Sequence, residues 1–480
     1  MKKTILSAGS ILLALLITTT GCDKYLDGTQ LPAKTIDGAS VYESDVTTST
    51  VITGVYINMT GSGPFTGSTG ENMGYTLGLY TDELKSVLSG NFADRFYKNT
   101  IQSADSKAWS NLYSKLFAVN SAIEGINNST ASLTYRNQWL GESYFLRAYF
   151  HLLLTGYYGD IPLALTTDYT VNNTLSRAPQ KQVYEQIIAD LKQAQSLLTP
   201  DYRNGYGVTT TNRLRPNKAV ATALLARVYL YNNDWANAEA QATEVINNTA
   251  TYQLIPPAQV FLANSRETLW ALAPSSPKPA FGFNFFNNGM PAVIASNATP
   301  ASSSVFAALS NFVLNAFEPN DARFTNWVRS STVSASATAP ATVYYFPNKY
   351  KSSANNAEYE IIMRLAEQYL IRAEARARQN KPEAANDLNA VRTRAGLANT
   401  TASSPVDLLA AIAKERQTEL FTESGHRFFD LKRTGTIDAV MAIVAPTKPT
   451  TWSSYLALWP IPSADIIQNP NIKPNPGYIQ

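Results

Sequence analysis

Apolar residues recur at helical spacing over much of this chain. Between residues 109 and 126, Trp109, Leu112, Tyr113, Leu116, Phe117 and Ile123, with Asn120 among them, fall on one face of a 3.6-residue period. That face predicts an amphipathic helix. A second helix is predicted over 135–154, with Trp139, Leu140, Phe145, Leu146, Tyr149 and Leu153 inward and Gly156 as its stop. Gly159-Asp160-Ile161-Pro162 then reads as a turn. A third helix starts after Ala178-Pro179, runs through Tyr184, Ile187, Leu191 and Leu197, and ends at Pro200. Residues 41–58, with Val51, Val55 and Tyr56 aligned, predict an earlier helix despite their β-branched content.

Two later stretches, 226–238 and 373–385, match each other. Each reads as a helix, a polar turn ending near Asn233 or Asn380, and a second helix with small residues on its inner face. Small residues let helices approach closely, which is the chemistry of tetratricopeptide-like hairpins. Two units fall short of the three a solenoid usually needs, so two unrelated Ala-rich hairpins are the alternative. Between them the character changes. Pro256, Pro257, Pro274, Pro277, Pro279, Pro291, Pro300 and Pro340 break long helices, and Ser/Thr clusters mark loops. Short strands are predicted at 268–271 and 342–345. A loop-rich insertion on a helical scaffold is where binding surfaces tend to sit.

Residues 414–433 alternate charges with an apolar stripe, and Glu415 and Glu419 fall one helical turn apart. Glu423, Arg427 and Asp430 could be read as a reactive cluster. Arg427, Asp430 and Arg433 stand beside Phe428, Phe429 and Leu431, however, so pairing at a packed helix junction is the better reading. Proline turns around Pro460, Pro470 and Pro476 predict an extended tail laid across the protein.

At 45% hydrophobic residues, the 480-residue chain can bury a large core. A net charge of +3, without a Lys/Arg run, argues against nucleic acid as a partner. The 26 Tyr residues and many Asn suit a surface for sugars or peptides, or equally a Tyr-rich exterior with no ligand. His151 and His426 are the only histidines, which argues against zinc. No nucleophile elbow, H-E-x-x-H, Walker loop or dinucleotide fingerprint occurs, so no cofactor is expected. Carboxylates are plentiful without a specific pair, which keeps a glycosidase only as the enzyme alternative.

The chain opens with Lys2-Lys3, an apolar run through 11–17, and Thr20-Gly21 before Cys22, its only cysteine. This is a signal peptide over 1–21, too short in its apolar core to span a bilayer. A small residue before Cys resembles the lipobox of bacterial lipoproteins, with Thr19 where Leu is usual. Cys22 is therefore the expected lipid attachment site, which leaves no cysteine for an internal disulfide.

Several segments, in order, resemble the SusD/RagB family of Bacteroidetes outer-membrane lipoproteins. They are Cys22-Asp23-Lys24-Tyr25-Leu26-Asp27, Leu146-Arg147-Ala148-Tyr149-Phe150, Tyr158-Gly159-Asp160-Ile161-Pro162, residues 364–375, Leu388-Asn389-Ala390-Val391-Arg392, residues 415–433, and Trp459-Pro460-Ile461-Pro462 with the tail to Tyr478. The resemblance implies a mainly α fold: a tetratricopeptide-like hairpin scaffold with a loop-rich insertion carrying short strands. It divides the chain into a signal peptide (1–21), an N-terminal helical region (22–251), the insertion (252–350), and a C-terminal helical region with its tail (351–480). It also implies a non-enzymatic cell-surface role in the outer membrane. A glycan, or in some relatives an oligopeptide, is captured and delivered to a SusC-like TonB-dependent transporter, over which the protein closes as a lid. By region, the ligand surface falls on Asp82, Asn91, Phe92, Arg95, Phe96 and Tyr97, and on Phe281, Phe283, Asn284, Phe285 and Trp327 of the insertion. Tyr75 and Tyr80 stand next to these.

Overall fold

A computed structural model describes residues 38, 40–61, 63–65, 71–87, 93–105, 107–274, 276–277, 279–280, 307–333 and 340–478. Its principal helices are α1 (Asp45–Gly61), α2 (Met73–Tyr80), α3 (Ala93–Tyr97), α4 (Lys107–Asn128), α5 (Arg136–Tyr158), α6 (Gln180–Leu197), α7 (Lys218–Tyr231) and α8 (Trp235–Asn247). After these come α9 (Ala322–Trp327), α10 (Leu365–Arg378), α11 (Ala384–Arg394), α12 (Pro405–Leu420), α13 (His426–Arg433) and α14 (Ile437–Val444). Short strands pair two by two: β1 (Leu84–Ser86), β2 (Ile161–Pro162), β3 (Arg177–Ala178), β4 (Thr268–Leu272), β5 (Ala307–Leu309), β6 (Val328–Val333), β7 (Thr342–Pro347) and β8 (Glu360–Arg364). The fold is mainly α, as the apolar periodicity predicts. Helices α4 to α8 pack each on the next, α8 packs on α10, and α10 packs on α11 and α12.

Both hairpins form, and they turn the same way. Asn233 (φ 60°) and Asn380 (φ 58°) occupy the left-handed region, which Asn tolerates better than most residues. The next residue closes each helix: Asp234 N–H donates to Tyr229 O and Lys381 N–H to Arg376 O, both at 2.9 Å. Buried Ala238 and Ala242 in α8 and Ala384 in α11 provide the close approach.

Two boundaries differ from expectation. α1 begins at Asp45, after a short 3-10 turn at Ser40–Tyr42. The Asp45 carboxylate accepts from Thr134 N–H (2.8 Å), Tyr135 N–H (3.0 Å) and the Trp139 indole (2.8 Å), tying α1 to the start of α5. α5 does not stop at Gly156 but continues to Tyr158. A side chain at Gly156 would meet the Phe429 ring 2.7 Å from its Cβ, so this glycine serves close packing, and Gly159 at φ 74° ends the helix.

Buried arginine–carboxylate pairs pin successive helix contacts. Arg147 grips Asp190 across α5 and α6 (2.7 and 2.9 Å), and Arg227 grips Glu367 across α7 and α10 (2.6 Å twice). Arg372 joins Asp387 across α10 and α11, Arg416 joins Asp430 across α12 and α13, and Arg433 joins Glu374 across α13 and α10. The largest cluster centres on Glu419, which takes Arg364, Arg394 and Arg323 (2.9 Å) together. Arg364 also holds Glu267 (2.8 Å) and Glu423 (2.7 Å), and Lys349 reaches Glu423. Burial opposes ionisation of Glu419, but its guanidinium neighbours outweigh that and hold its carboxyl well below the usual range.

The described part of the insertion is more regular than its proline content predicts. β4 pairs antiparallel with β8, which follows the insertion, and β6–β7 is an antiparallel hairpin. The tail lies across the helices as expected, interrupted by a short helix at Ser463–Gln468. Trp459 N–H donates to Tyr157 O (2.9 Å), and the Asn475 amide donates to Tyr158 O (3.0 Å) and Trp459 O (2.9 Å).

Removing one partner of a buried pair leaves an uncompensated charge, so Arg364→Met lowers unfolding free energy by about 3–5 kcal/mol in urea denaturation. His151 is fully buried in α5, and burial drops its imidazole to about 3. Below about pH 6.5 the unfolded chain therefore takes up a proton that the native state refuses. Stability falls as pH drops from about 6.5 toward 4, by up to about 3 kcal/mol from this residue. His151→Leu flattens that limb of a stability–pH curve.

Candidate functional site

Strand β1 follows α2 after the short turn Thr81-Asp82-Glu83, and β5 lies within the insertion. They pair antiparallel, Leu84 opposite Leu309 and Ser86 opposite Ala307. Ser310 locks the junction: its N–H donates to Glu83 O (2.9 Å) and its hydroxyl to Asp82 O. β5 also packs against β7. Residues 82–86 and 307–310 are thus brought together although 228 residues separate Ser310 from Asp82.

The β6–β7 hairpin rises beside this junction, its base buried at Phe346 and Pro347 and its outer end exposed at Thr342 and Val343. Tyr344 and Tyr345 are half-buried between them. The Lys85 ammonium lies 5.6 Å from the Tyr344 ring centroid, and Tyr345 lies 6.0 Å from Phe324. On the other flank of β1, Arg95 is exposed and donates to Asp105 (2.6 Å), while half-buried Tyr97 faces the Lys448 ammonium at 5.2 Å. Half-buried Tyr97, Tyr344 and Tyr345, half-buried Lys85 and exposed Arg95 thus stand on β1 and the elements around the β1–β5 pair, side chains of the kind that stack on apolar ring faces and hydrogen-bond at their edges.

The expected site residues divide. Arg95 and Tyr97 reach solvent. Asp82 is buried and held by Arg427 through Nε (2.9 Å) and a second nitrogen (2.6 Å), with Gln417 at 3.3 Å. Arg427 therefore leaves the α13 cluster in which it was expected to pair, while Asp430 and Arg433 do pair there (2.8 Å). Phe96 is buried, its ring 5.5 Å from Trp459. Trp327 is 0% exposed, donates its indole N–H to Pro257 O (2.8 Å), and carries Lys349, Arg364 and Arg394 over its ring at 4.9–5.7 Å. It is the apolar floor of the Glu419 cluster and stands inside the core. Tyr75 and Tyr80 are buried as well. Cys22, Asn91, Phe92, Phe281, Phe283, Asn284 and Phe285 lie outside the described residues. Sequence reasoning does not single out Tyr344, Tyr345 or Lys85, which stand beside the β1–β5 pair. The strand at 342–345 was legible, and its two adjacent tyrosines beside an exposed strand end were the available signal.

Besides Arg427, Lys448 fixes the turn at Asp82. The Lys448 ammonium, lowered by burial to about 7, donates to Leu79 O (2.6 Å) and Thr81 O, filling the open carbonyls at the end of α2. Burial, and then the neighbouring Asp82, push the Glu83 carboxyl up to about 8. Among the described residues no group of three His, Cys, Asp or Glu is arranged to hold a metal, and no helix is long and apolar enough to cross a membrane.

Comparison with known proteins gives a consistent result. Residues 324–478 match the model of the SusD family, and residues 38–230 match a model described as starch-binding, associating with the outer membrane. A SusD-like protein of Formosa agariphila is 26% identical over 97% of this chain and 98% of its own length. Among solved structures, B. fragilis NanU superposes with a TM-score of 0.74 at 21% identity, covering 94% of this chain and all of its own. A laminarin-binding SusD-like protein gives 0.71 at 22% identity, with 91% and 100% covered. These structural likenesses carry the fold.

The Asp82–Arg427 pair is the test of how the site is held. Arg427→Met strands a buried carboxylate and costs roughly 3 kcal/mol of stability. Asp82→Asn in the same chain recovers part of the loss, read as a double-mutant cycle in chemical denaturation.

Proposed function

Because the chain belongs to the SusD family, we propose that it is a cell-surface glycan-binding lipoprotein. In this reading Cys22 carries the lipid anchor after removal of residues 1–21. The protein captures an oligosaccharide or polysaccharide and delivers it, as a lid, to a SusC-like TonB-dependent transporter. The observation that supports the reading is the β1–β5 pairing, which sets a strand just before residue 90 beside a strand of the insertion, with half-buried Tyr97 and Tyr344 and exposed Arg95 on neighbouring elements. We assign Asn91, Phe92, Phe281, Phe283, Asn284 and Phe285, which lie outside the described residues, to the same ligand surface by their place in the sequence. Sugar rings present apolar C–H faces and hydroxyl edges, which such an arrangement matches. The described acids beside the face have other duties: Asp82 is tied to Arg427, and Glu83 is buried. The proposed role is binding without cleavage.

The test is affinity electrophoresis of the lipid-free mature protein against laminarin, starch, xylan, pectin and a mixed peptide pool. The expected result is retardation by at least one polysaccharide. Binding falls about tenfold or more in Tyr97→Ala, Tyr344→Ala, with an unchanged melting curve. Binding to peptides alone replaces the glycan by an oligopeptide in the same role, and release of reducing sugar replaces the reading by a glycosidase.

A further inference from the structure

A second aromatic feature lies away from the β1–β5 face and shares no residue with it. Trp109, Tyr113 and Phe117 are spaced four residues apart on α4, which stacks them along one side of the helix. Trp109 and Tyr113 pack with centroids 4.9 Å apart, and both sink toward the body of the protein. Phe117 was expected on the buried face, yet it is 56% exposed. A lone exposed phenylalanine needs no explanation. This one stands at a groove of about 230 Å³, walled by α4, by the loop leading out of β2, and by the short helix Ser463–Gln468 with the residues after it.

The groove's polar groups are of one kind. Asn120, Asn172, Asn173, Gln468 and Asn469 line it, and Asp465 is its only charged residue. Some of these hold the walls together: Tyr113 donates to Pro162 O (2.7 Å), Asn120 to Ala164 O (3.0 Å) and Asn469 to Leu175 O (2.8 Å). Asn172 is one of these: its amide donates to Thr166 O (2.8 Å), and its carbonyl oxygen is shut from water. Others remain for a ligand. Asn173 and Gln468 are exposed on the groove wall. The Asp465 carboxyl accepts from the Trp109 indole, and burial raises it above the ordinary aspartate value.

We propose that this groove is a second carbohydrate site, taking one neutral pyranose ring of a glycan with its C–H face on Phe117 and its hydroxyls on Asn173, Gln468 and Asp465. The lining holds no cation to bind an acidic sugar, and its volume is just below the roughly 300–1,000 Å³ of sites for drug-sized ligands. The inference rests on the glycan reading for its choice of probe but not on the β1–β5 face. A second point of attachment would hold a polymer by effective concentration even when each site is weak.

The probes are the methyl glycosides of glucose, galactose, mannose and xylose, each at about 10 mM, enough to fill a millimolar site. Saturation-transfer NMR detects binding, and hydrogen–deuterium exchange locates it. At least one glycoside is expected to bind and to slow exchange in residues 107–128 and 463–472. Phe117→Ala and Gln468→Ala, both at exposed positions, should each weaken the binding that protects those two segments about fivefold or more. Protection confined to the β1–β5 face, binding indifferent to both groove variants, or no binding by any glycoside overturns the groove. Polysaccharide retardation lost in the Tyr97, Tyr344 variant but kept in the groove variants leaves the face reading standing while the groove fails. The reverse pattern leaves the groove standing while the face fails.

Discussion

Glu419 is the constraint on which the arrangement depends. It sits fully buried near the end of α12, and three guanidinium groups converge on it from distant parts of the chain: Arg364 at the β8–α10 junction, Arg394 at the end of α11, and Arg323 in α9. A carboxylate in that position without partners would be strongly disfavoured, and so would any one of the arginines without it. The elements that bring these groups must therefore be in place together. Because α9 belongs to the insertion and α11 and α12 to the helical array, the same cluster that closes the core also bolts the insertion to the scaffold.

That bolt reaches the candidate face through a few residues. Trp327, under the cations of the cluster, is followed directly by β6, and Lys349, bound to Glu423, stands just after β7. The hairpin is thus fixed at its base, while its outer end is exposed at Val343. On the opposite side, Arg427 grips Asp82, and Lys448 fills the carbonyls at the end of α2, so the turn into β1 is held from two directions. A face built on strands anchored this way keeps its geometry without a ligand, which lowers the ordering cost of binding.

What was legible in the sequence follows from what burial does to a pattern. The helices were readable because one side of each is apolar at a regular spacing, and the paired hairpins because Asn233 and Asn380 stand where the chain must enter the left-handed region. The charged stretch at 415–433 was readable as structural rather than reactive, but its partners were not. Arg427 finds Asp82, 345 residues away, and nothing local specifies that. Gly156 read as a helix stop because a glycine that permits close packing looks the same in sequence as one that ends a helix. Aromatic residues carried the least information about which side they face. Trp327 was expected at a ligand surface and lies under three cations, whereas Phe117 was expected in the core and is exposed. Periodicity assigns a residue to a face of its element, and only tertiary structure says what covers that face.

The same anchoring explains how one scaffold can serve different ligands. Residues 88–92 run between Ser86 and Asp94, whose side chains hydrogen-bond to each other (3.3 Å). Residues 281–306 run between Ala280, which is buried, and β5, which is locked to Glu83 and Asp82 through Ser310. The described residues on either side of both segments are therefore held by the fold. The buried ion pairs are directional, intolerant of losing one partner, and distributed along the helix contacts. Such strict requirements fix where the scaffold stands on either side, which is what a binding protein needs if its architecture is to persist while its ligand changes.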